Sequence, residues 1–227
     1  MALILSIETS TPFCSVALHN NDQLIGLKEQ LLDKSHSEYL VPIIQEVVSS
    51  SGENQKNIDA IALSMGPGSY TGLRIGSSTA KGLCYALNIP LIAISTLEGL
   101  AKQVSEKANI NTILCPMLDA RRMEVYTAFY DHKFQNKFPV QPVIINESSF
   151  EEYFKTYDLI LFGSGAQKCK GVINKNATYI DEVFPTATTI GELAIEKFKE
   201  KRFEDIAYFE PFYLKEFQTT TPKAKPF

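Results

Sequence analysis

This sequence is poor in the residues that direct chemistry usually requires. Its three histidines, His19, His36 and His132, stand at no metal-ligand spacing, so no zinc or iron centre is expected and no cofactor is predicted. The four cysteines, Cys14, Cys84, Cys115 and Cys169, are scattered without a Cys-x-x-Cys pair, which suits a reducing compartment. No Gly-x-Ser-x-Gly nucleophile elbow is present, which argues against a serine protease. Apolar runs stay well short of the ~20 residues that span a bilayer. The start, Met1-Ala2-Leu3-Ile4-Leu5-Ser6-Ile7, lacks the basic flank and long apolar core of a signal peptide. A cytoplasmic protein without membrane contact is expected. The net charge of −4 argues against a free-standing electrostatic nucleic-acid binder, so any RNA role needs a basic partner.

What is present is ordinary in amount. The chain has 227 residues, 44% hydrophobic and 21% charged, enough for one large domain or two small ones with real cores. The pattern of strands and helices runs twice. Strands are predicted at 2–7, 13–18 and 23–30, then a helix at 36–49, a strand at 58–64, a helix at 73–87, a strand at 90–94 and a helix at 96–107. The second half opens alike, with strands at 112–118, 124–130 and 139–145. A short helix near 148–155, a strand at 158–162, a helix near 165–173, a helix at 188–202 and an extended piece at 206–214 follow. Three strands and then alternating helices and strands, twice over, predict an α/β protein of two ribonuclease-H-like lobes. The expected lobes are 1–108 and an abridged 109–217, with 218–227 a disordered tail.

The most informative stretch is Gly66-Pro67-Gly68-Ser69-Tyr70-Thr71-Gly72-Leu73-Arg74-Ile75-Gly76, a glycine turn between a strand and a helix. It lacks the Gly-Lys-Ser/Thr ending of a P-loop, and three residues rather than two separate Gly68 from Gly72. Unpaired N–H groups at such a turn can hold an anion, or the missing side chains can admit another backbone. Gly72, Gly76 and Ala80 lie four apart and form one small-residue stripe, facing either the sheet beneath or a second protein.

The helix at 36–49 carries the capping-box pattern Ser35-His36-Ser37-Glu38 and an amphipathic stripe of Leu40, Ile43, Ile44, Val47 and Val48. Pro42 lies inside it and is expected to kink it. His36 reads as a polar residue of the first turn. In two-lobed folds of this kind, shared by sugar kinases, actin and related ATPases, an acidic residue and hydroxyls of the first hairpin hold phosphate and metal. Glu8, Thr9 and Ser10 occupy that place here, and Asp119 the matching place in the second half; these are the nucleotide-binding candidates. Strand-end or turn roles are the alternative.

The chain resembles the TsaB (YeaZ) family of tRNA threonylcarbamoyladenosine biosynthesis proteins. The resemblance rests on Ile7-Glu8-Thr9-Ser10, Ser35-His36-Ser37-Glu38-Tyr39-Leu40-Val41-Pro42, the glycine segment 66–76 and Ala80-Lys81-Gly82-Leu83. It continues in Ser95-Thr96-Leu97-Glu98-Gly99-Leu100-Ala101, Asp119-Ala120-Arg121-Arg122 with Glu124-Val125-Tyr126, and Pro211-Phe212-Tyr213-Leu214. Glu8 departs from the family's more usual Asp, and 131–205 match only loosely. The resemblance implies a fold of the actin and sugar-kinase superfamily and a non-catalytic subunit. That subunit partners TsaD, with TsaE joining and tRNA met only indirectly. The catalytic relative TsaD carries a His-x-x-x-His metal pair where Thr96 and Leu100 stand here. On this reading Tyr39, Leu40, Ile43 and Ile44 of one helix, with Gly72, Leu73, Gly76 and Ala80 of the next, form the partner face, which a homodimer also uses. The alternative is an active ATPase or small-molecule kinase built on Glu8, Asp119 and the glycine turn.

Overall fold

The computed structural model describes residues 2–32, 35–173 and 176–215. Its elements run β1 (Leu3–Glu8), β2 (Phe13–Asn20), β3 (Gln23–Leu31), α1 (His36–Ser50), β4 (Ala60–Gly66), α2 (Tyr70–Leu87), β5 (Leu91–Ser95) and α3 (Thr96–Gln103). The second half gives β6 (Thr112–Asp119), β7 (Glu124–Tyr130), β8 (Asn136–Ile144), α4 (Glu151–Phe154), β9 (Asp158–Phe162), β10 (Thr178–Ile180) and α5 (Ala187–Lys199). Two five-stranded sheets result, ordered β3-β2-β1-β4-β5 and β10-β9-β6-β7-β8. In each, the first three strands pair antiparallel and the fourth and fifth join parallel, so the second sheet repeats the first strand for strand. The architecture is the expected α/β pair of ribonuclease-H-like lobes. The abridgement of the second lobe lies in its crossovers. α4 has four residues where α1 has fifteen, and a single 3-10 turn at Gln167–Cys169 replaces the helix expected near 165–173.

β1 reads as an unbroken apolar run because it is central and covered on both faces. Leu3, Leu5 and Ile7 meet α1 and α2 through Leu40, Ile43, Ile44, Val47 and Ala80. Ala2 and Ile4 join Ile190, Ala194 and Ile195 of α5 on the other side. The lobes thus exchange their last helices: α5, from the end of the chain, closes the first sheet, and Leu97, Leu100 and Ala101 of α3 pack on Leu114, Leu118 and Tyr130 of the second. Each fully buried aliphatic side chain contributes about 1.5–3 kcal/mol, so these exchanged helices bind the lobes together. The start of α5 is further held by polar bonds. Thr186 caps it by accepting from Thr188 N–H, and the Ser15 hydroxyl of β2 accepts from Ala187 N–H at 2.9 Å and donates to Glu29 at 3.0 Å.

Several local expectations change. α1 runs through Pro42 as one helix, and its cap is made by the Ser35 carbonyl, which accepts from Glu38 and Tyr39 N–H; the Ser35 side chain makes no capping bond. The helix expected at 96–107 breaks after Gln103 into a 3-10 turn at Ser105–Lys107. β10, three residues long, gave too short a pattern to read. The piece at 206–214 forms no strand; beside it, Glu204 makes an isolated bridge to Leu91. The tail 218–227 lies outside the described residues, and among these no helix is long and apolar enough to cross a membrane.

Candidate functional site

The candidate residues of the first lobe lie on the loop after β1, beside the glycine turn after β4. At the first, Glu8 is fully buried, and its Oε1 accepts from Ser10 N–H at 2.6 Å. Its Oε2, the Ser10 hydroxyl and the Ser64 hydroxyl have no hydrogen-bond partner among the described residues. Burial pushes the Glu8 carboxyl up from its ordinary 4.5, and the nearby polar groups of Ser10, Ser64 and Thr9 offset this only in part.

At the second loop the glycines have a definite use. A Cβ on Gly72 would lie 2.0 Å from the Thr9 carbonyl oxygen, one on Gly76 2.3 Å from Thr9 Oγ1, and one on Gly68 2.5 Å from Ser10 Cβ and carbonyl. The Thr9 hydroxyl donates to the Gly72 carbonyl at 2.8 Å, and Ser69 N–H donates to the Ser10 carbonyl at 2.7 Å. The Ser69 side chain caps α2 by accepting from Gly72 N–H. The glycine turn therefore admits the first hairpin's own backbone, and the chain itself takes up N–H groups that would otherwise face an anion. The Gly66–Pro67 peptide is cis, and Gly66 sits at φ 111°, a conformation that suits glycine. A Cβ there would meet the Phe212 carbonyl at 2.7 Å.

That carbonyl belongs to a strap that crosses the turn. Phe212 N–H donates to the Met65 carbonyl at 2.7 Å, and the Tyr213 ring packs on Tyr70 with centroids 4.6 Å apart. Lys81 of α2 donates to the Phe209 carbonyl at 3.1 Å, while Lys215 pairs with Glu124 of β7 in the other lobe.

Asp119, the second candidate acid, is also engaged within its own lobe. Its Oδ1 accepts from Arg121 N–H at 2.7 Å and pairs with the Lys168 ammonium, which also donates to the Arg122 and Glu124 carbonyls. Lys168 belongs to no motif, so sequence reasoning passed over it.

The expected partner face divides. Leu40, Ile43, Ile44, Leu73 and Ala80 are buried in the first lobe's core, and Gly72 and Gly76 are buried against Thr9. These seven residues form internal packing, because an apolar stripe serves first the sheet it lies on. Tyr39 alone of the eight is exposed. Val41 of α1 and Tyr85 of α2, which the stripe pattern missed, stand out on the same two helices, Tyr85 with 85% of its surface exposed. Thr96 and Leu100 are fully buried, Leu100 among the apolar side chains between α3 and the second sheet. His36 opens the first turn of α1, as expected, and is buried there, which lowers its pKa from 6.5.

Two ribonuclease-H-like lobes, with the loop after β1 packed into the glycine turn after β4, define the class of fold. The family model described as "TsaD: tRNA N6-adenosine threonylcarbamoyltransferase" matches residues 17–219. Escherichia coli TsaB, a tRNA threonylcarbamoyladenosine biosynthesis protein, is 29% identical over 222 residues, 93% of this chain and 94% of that one. Bacillus subtilis TsaB is 36% identical over 130 residues, 57% of this chain and 56% of that one. The crystal structure of an uncharacterized Pseudomonas aeruginosa protein with similarity to peptidase YEAZ superposes with a TM-score of 0.85 at 24% identity, over 95% of this chain and 100% of that one. The chain belongs to this tRNA threonylcarbamoyladenosine family, in its TsaB branch.

Two outcomes follow for stability. Gly72→Ala is expected to cost at least about 2 kcal/mol, because the Thr9 carbonyl must move. Gly82→Ala in the same helix, where a Cβ meets open space, should add roughly 0.5–1 kcal/mol. Urea unfolding of both variants checks the pair, and equal effects would contradict the packing role. For Glu8, a folded pKa raised above the unfolded one means that its contribution is fully present below about pH 4.5 and is lost as pH rises toward the folded value. Glu8→Gln should therefore gain stability relative to the parent as pH rises from 4.5 toward neutrality. A difference that stays flat across that range would contradict the assignment.

Proposed function

We propose that this chain is a non-catalytic subunit of the cytoplasmic complex that transfers threonylcarbamoyl to N6 of adenosine-37 in tRNAs reading codons beginning with A. It binds and stabilises the catalytic subunit TsaD, and TsaE joins the complex. The observation that carries this reading is the closed cleft: Thr9 and Ser10 fill the space that the glycine turn would give to phosphates. Supporting it, Asp119 is neutralised by Lys168, and Thr96 and Leu100 occupy core positions where the resemblance puts TsaD's metal-binding histidines. The elements of a catalytic cleft are thus retained as packing, which leaves the outer surface as the working part.

The partner face on this reading is the outer side of α1 and α2, centred on Tyr39, Val41 and Tyr85. α1 and α2 cover one face of the first sheet while α5 covers the other, so their outer side is free for a second layer of helices. Large exposed aromatics on such a face are the side chains that most often carry binding energy. A second copy of the chain can use the same face, so a homodimer competes with TsaD.

Tyr85→Glu is expected to weaken association with TsaD roughly tenfold or more while leaving the unfolding midpoint in place. Titration calorimetry with purified TsaD, beside a urea curve for the variant, reads both quantities. Unchanged affinity would remove the outer face of α2 from the interface. Magnesium-dependent ATP turnover by the isolated chain, lost in Glu8→Ala, would favour the ATPase alternative instead.

A further inference from the structure

The turn between β6 and β7 has features that packing within the chain leaves unused. The chain has four arginines, and two of them, Arg121 and Arg122, stand side by side at its tip. Both adopt left-handed backbone, φ 67° and 49°, a conformation that costs a non-glycine residue about 1–2 kcal/mol. The turn is held in it from below: the Lys168 ammonium bonds Asp119 Oδ1 and the carbonyls of Arg122 and Glu124, and Met123's carbonyl accepts from Ile145 N–H. Both arginine side chains are exposed, and neither makes a hydrogen bond or ion pair among the described residues. The carboxylates at hand are already taken, Asp119 by Lys168 and Glu124 by Lys215. Two lysines and two arginines thus face two carboxylates, a local excess of two positive charges on a chain whose net charge is −4.

The turn also has a place. Phe212 is bonded beside the glycine turn and Lys215, three residues on, reaches Glu124 at the start of β7, so three residues of chain and one ion pair join the glycine turn to the end of the β6–β7 turn. Burial raises the Tyr126 phenol's pKa; of the charges near it, Lys215 and Arg121 act against the rise and Glu124 adds to it. The basic tip therefore adjoins the end of the strap that crosses the glycine turn, where Lys215 pairs with Glu124.

We propose that Arg121 and Arg122 form a rigid anion-binding finger that contacts the phosphodiester backbone of the RNA substrate in the assembled complex, with Lys168 as the positioning residue. The inference rests on the functional reading above. It is compatible with the net charge, because two contacts add to binding that the complex supplies and do not need this chain to bind RNA alone.

The test measures tRNA binding by the assembled complex of this chain with TsaD, as a function of potassium chloride concentration. The variant is R121G/R122G, since glycine takes positive φ without strain and removes the charge while keeping the turn. Each phosphate contact contributes about 0.7–0.9 to the slope of log affinity against log salt. Between 50 and 200 mM salt the parent complex should therefore lose about tenfold more affinity than the variant complex, and R121K/R122K should keep most of the parent slope. Equal slopes for the parent and the glycine variant would overturn the inference alone. Weakened subunit association in R121G/R122G, with an unchanged tRNA slope for the complex formed at saturating TsaD, would also overturn it and assign the finger to an acidic protein surface. A parent chain that fails to assemble with TsaD would bring down the functional reading and this inference together.

Discussion

The rest of the structure depends on the contact between Thr9 and the glycines of α2. A carbonyl oxygen within 2.0 Å of where a Gly72 Cβ would stand leaves no alternative residue at that position without movement. The contact joins the tip of the first hairpin to the start of the longest helix, and it draws in Ser10, Ser69 and, through Gly66, the C-terminal strap. The first hairpin's own backbone fills the space that the glycines leave, which makes this contact a packed joint. The burial of Glu8, with its carboxyl pushed away from the charged form, belongs to the same closure.

The second constraint is the exchange of helices between lobes. Because α5 completes the first sheet and α3 the second, neither sheet is covered on both faces without the other half of the chain. Lys197 of α5 donates to the Ala93 carbonyl, and the Ser15–Glu29–Thr186 bonds fix where α5 begins. The relative positions of the lobes are thus set by packed side chains.

Much of this was legible in the sequence, for identifiable reasons. Alternating and continuous apolar runs marked nine of the ten strands, and the period of Leu40, Ile43, Ile44, Val47 and Val48 marked α1. The glycine segment was legible as strand, turn and helix. Which of its two uses applied was not, because the deciding neighbour, Thr9, lies 63 residues away from Gly72. The small-residue stripe had the same ambiguity, and Gly76 resolves it by lying against the Thr9 hydroxyl. Seven of the eight residues read as a partner face are buried within the first lobe, because periodicity reports the side that packs on the sheet. An exposed Tyr85 leaves no periodic signal, and neither does Lys168, whose three oxygen partners come from the turn at 119–124. The Ser35 cap was misread because the backbone carbonyl accepts there in place of the side chain.

The measurement that bears most directly on the central claim is tRNA threonylcarbamoylation rebuilt from purified components, with this chain alone, TsaD alone and both together, TsaE and the activated donor being present throughout. The account predicts transfer that requires both proteins and none from this chain without TsaD. Transfer by this chain alone, or full transfer by TsaD without it, would contradict the account.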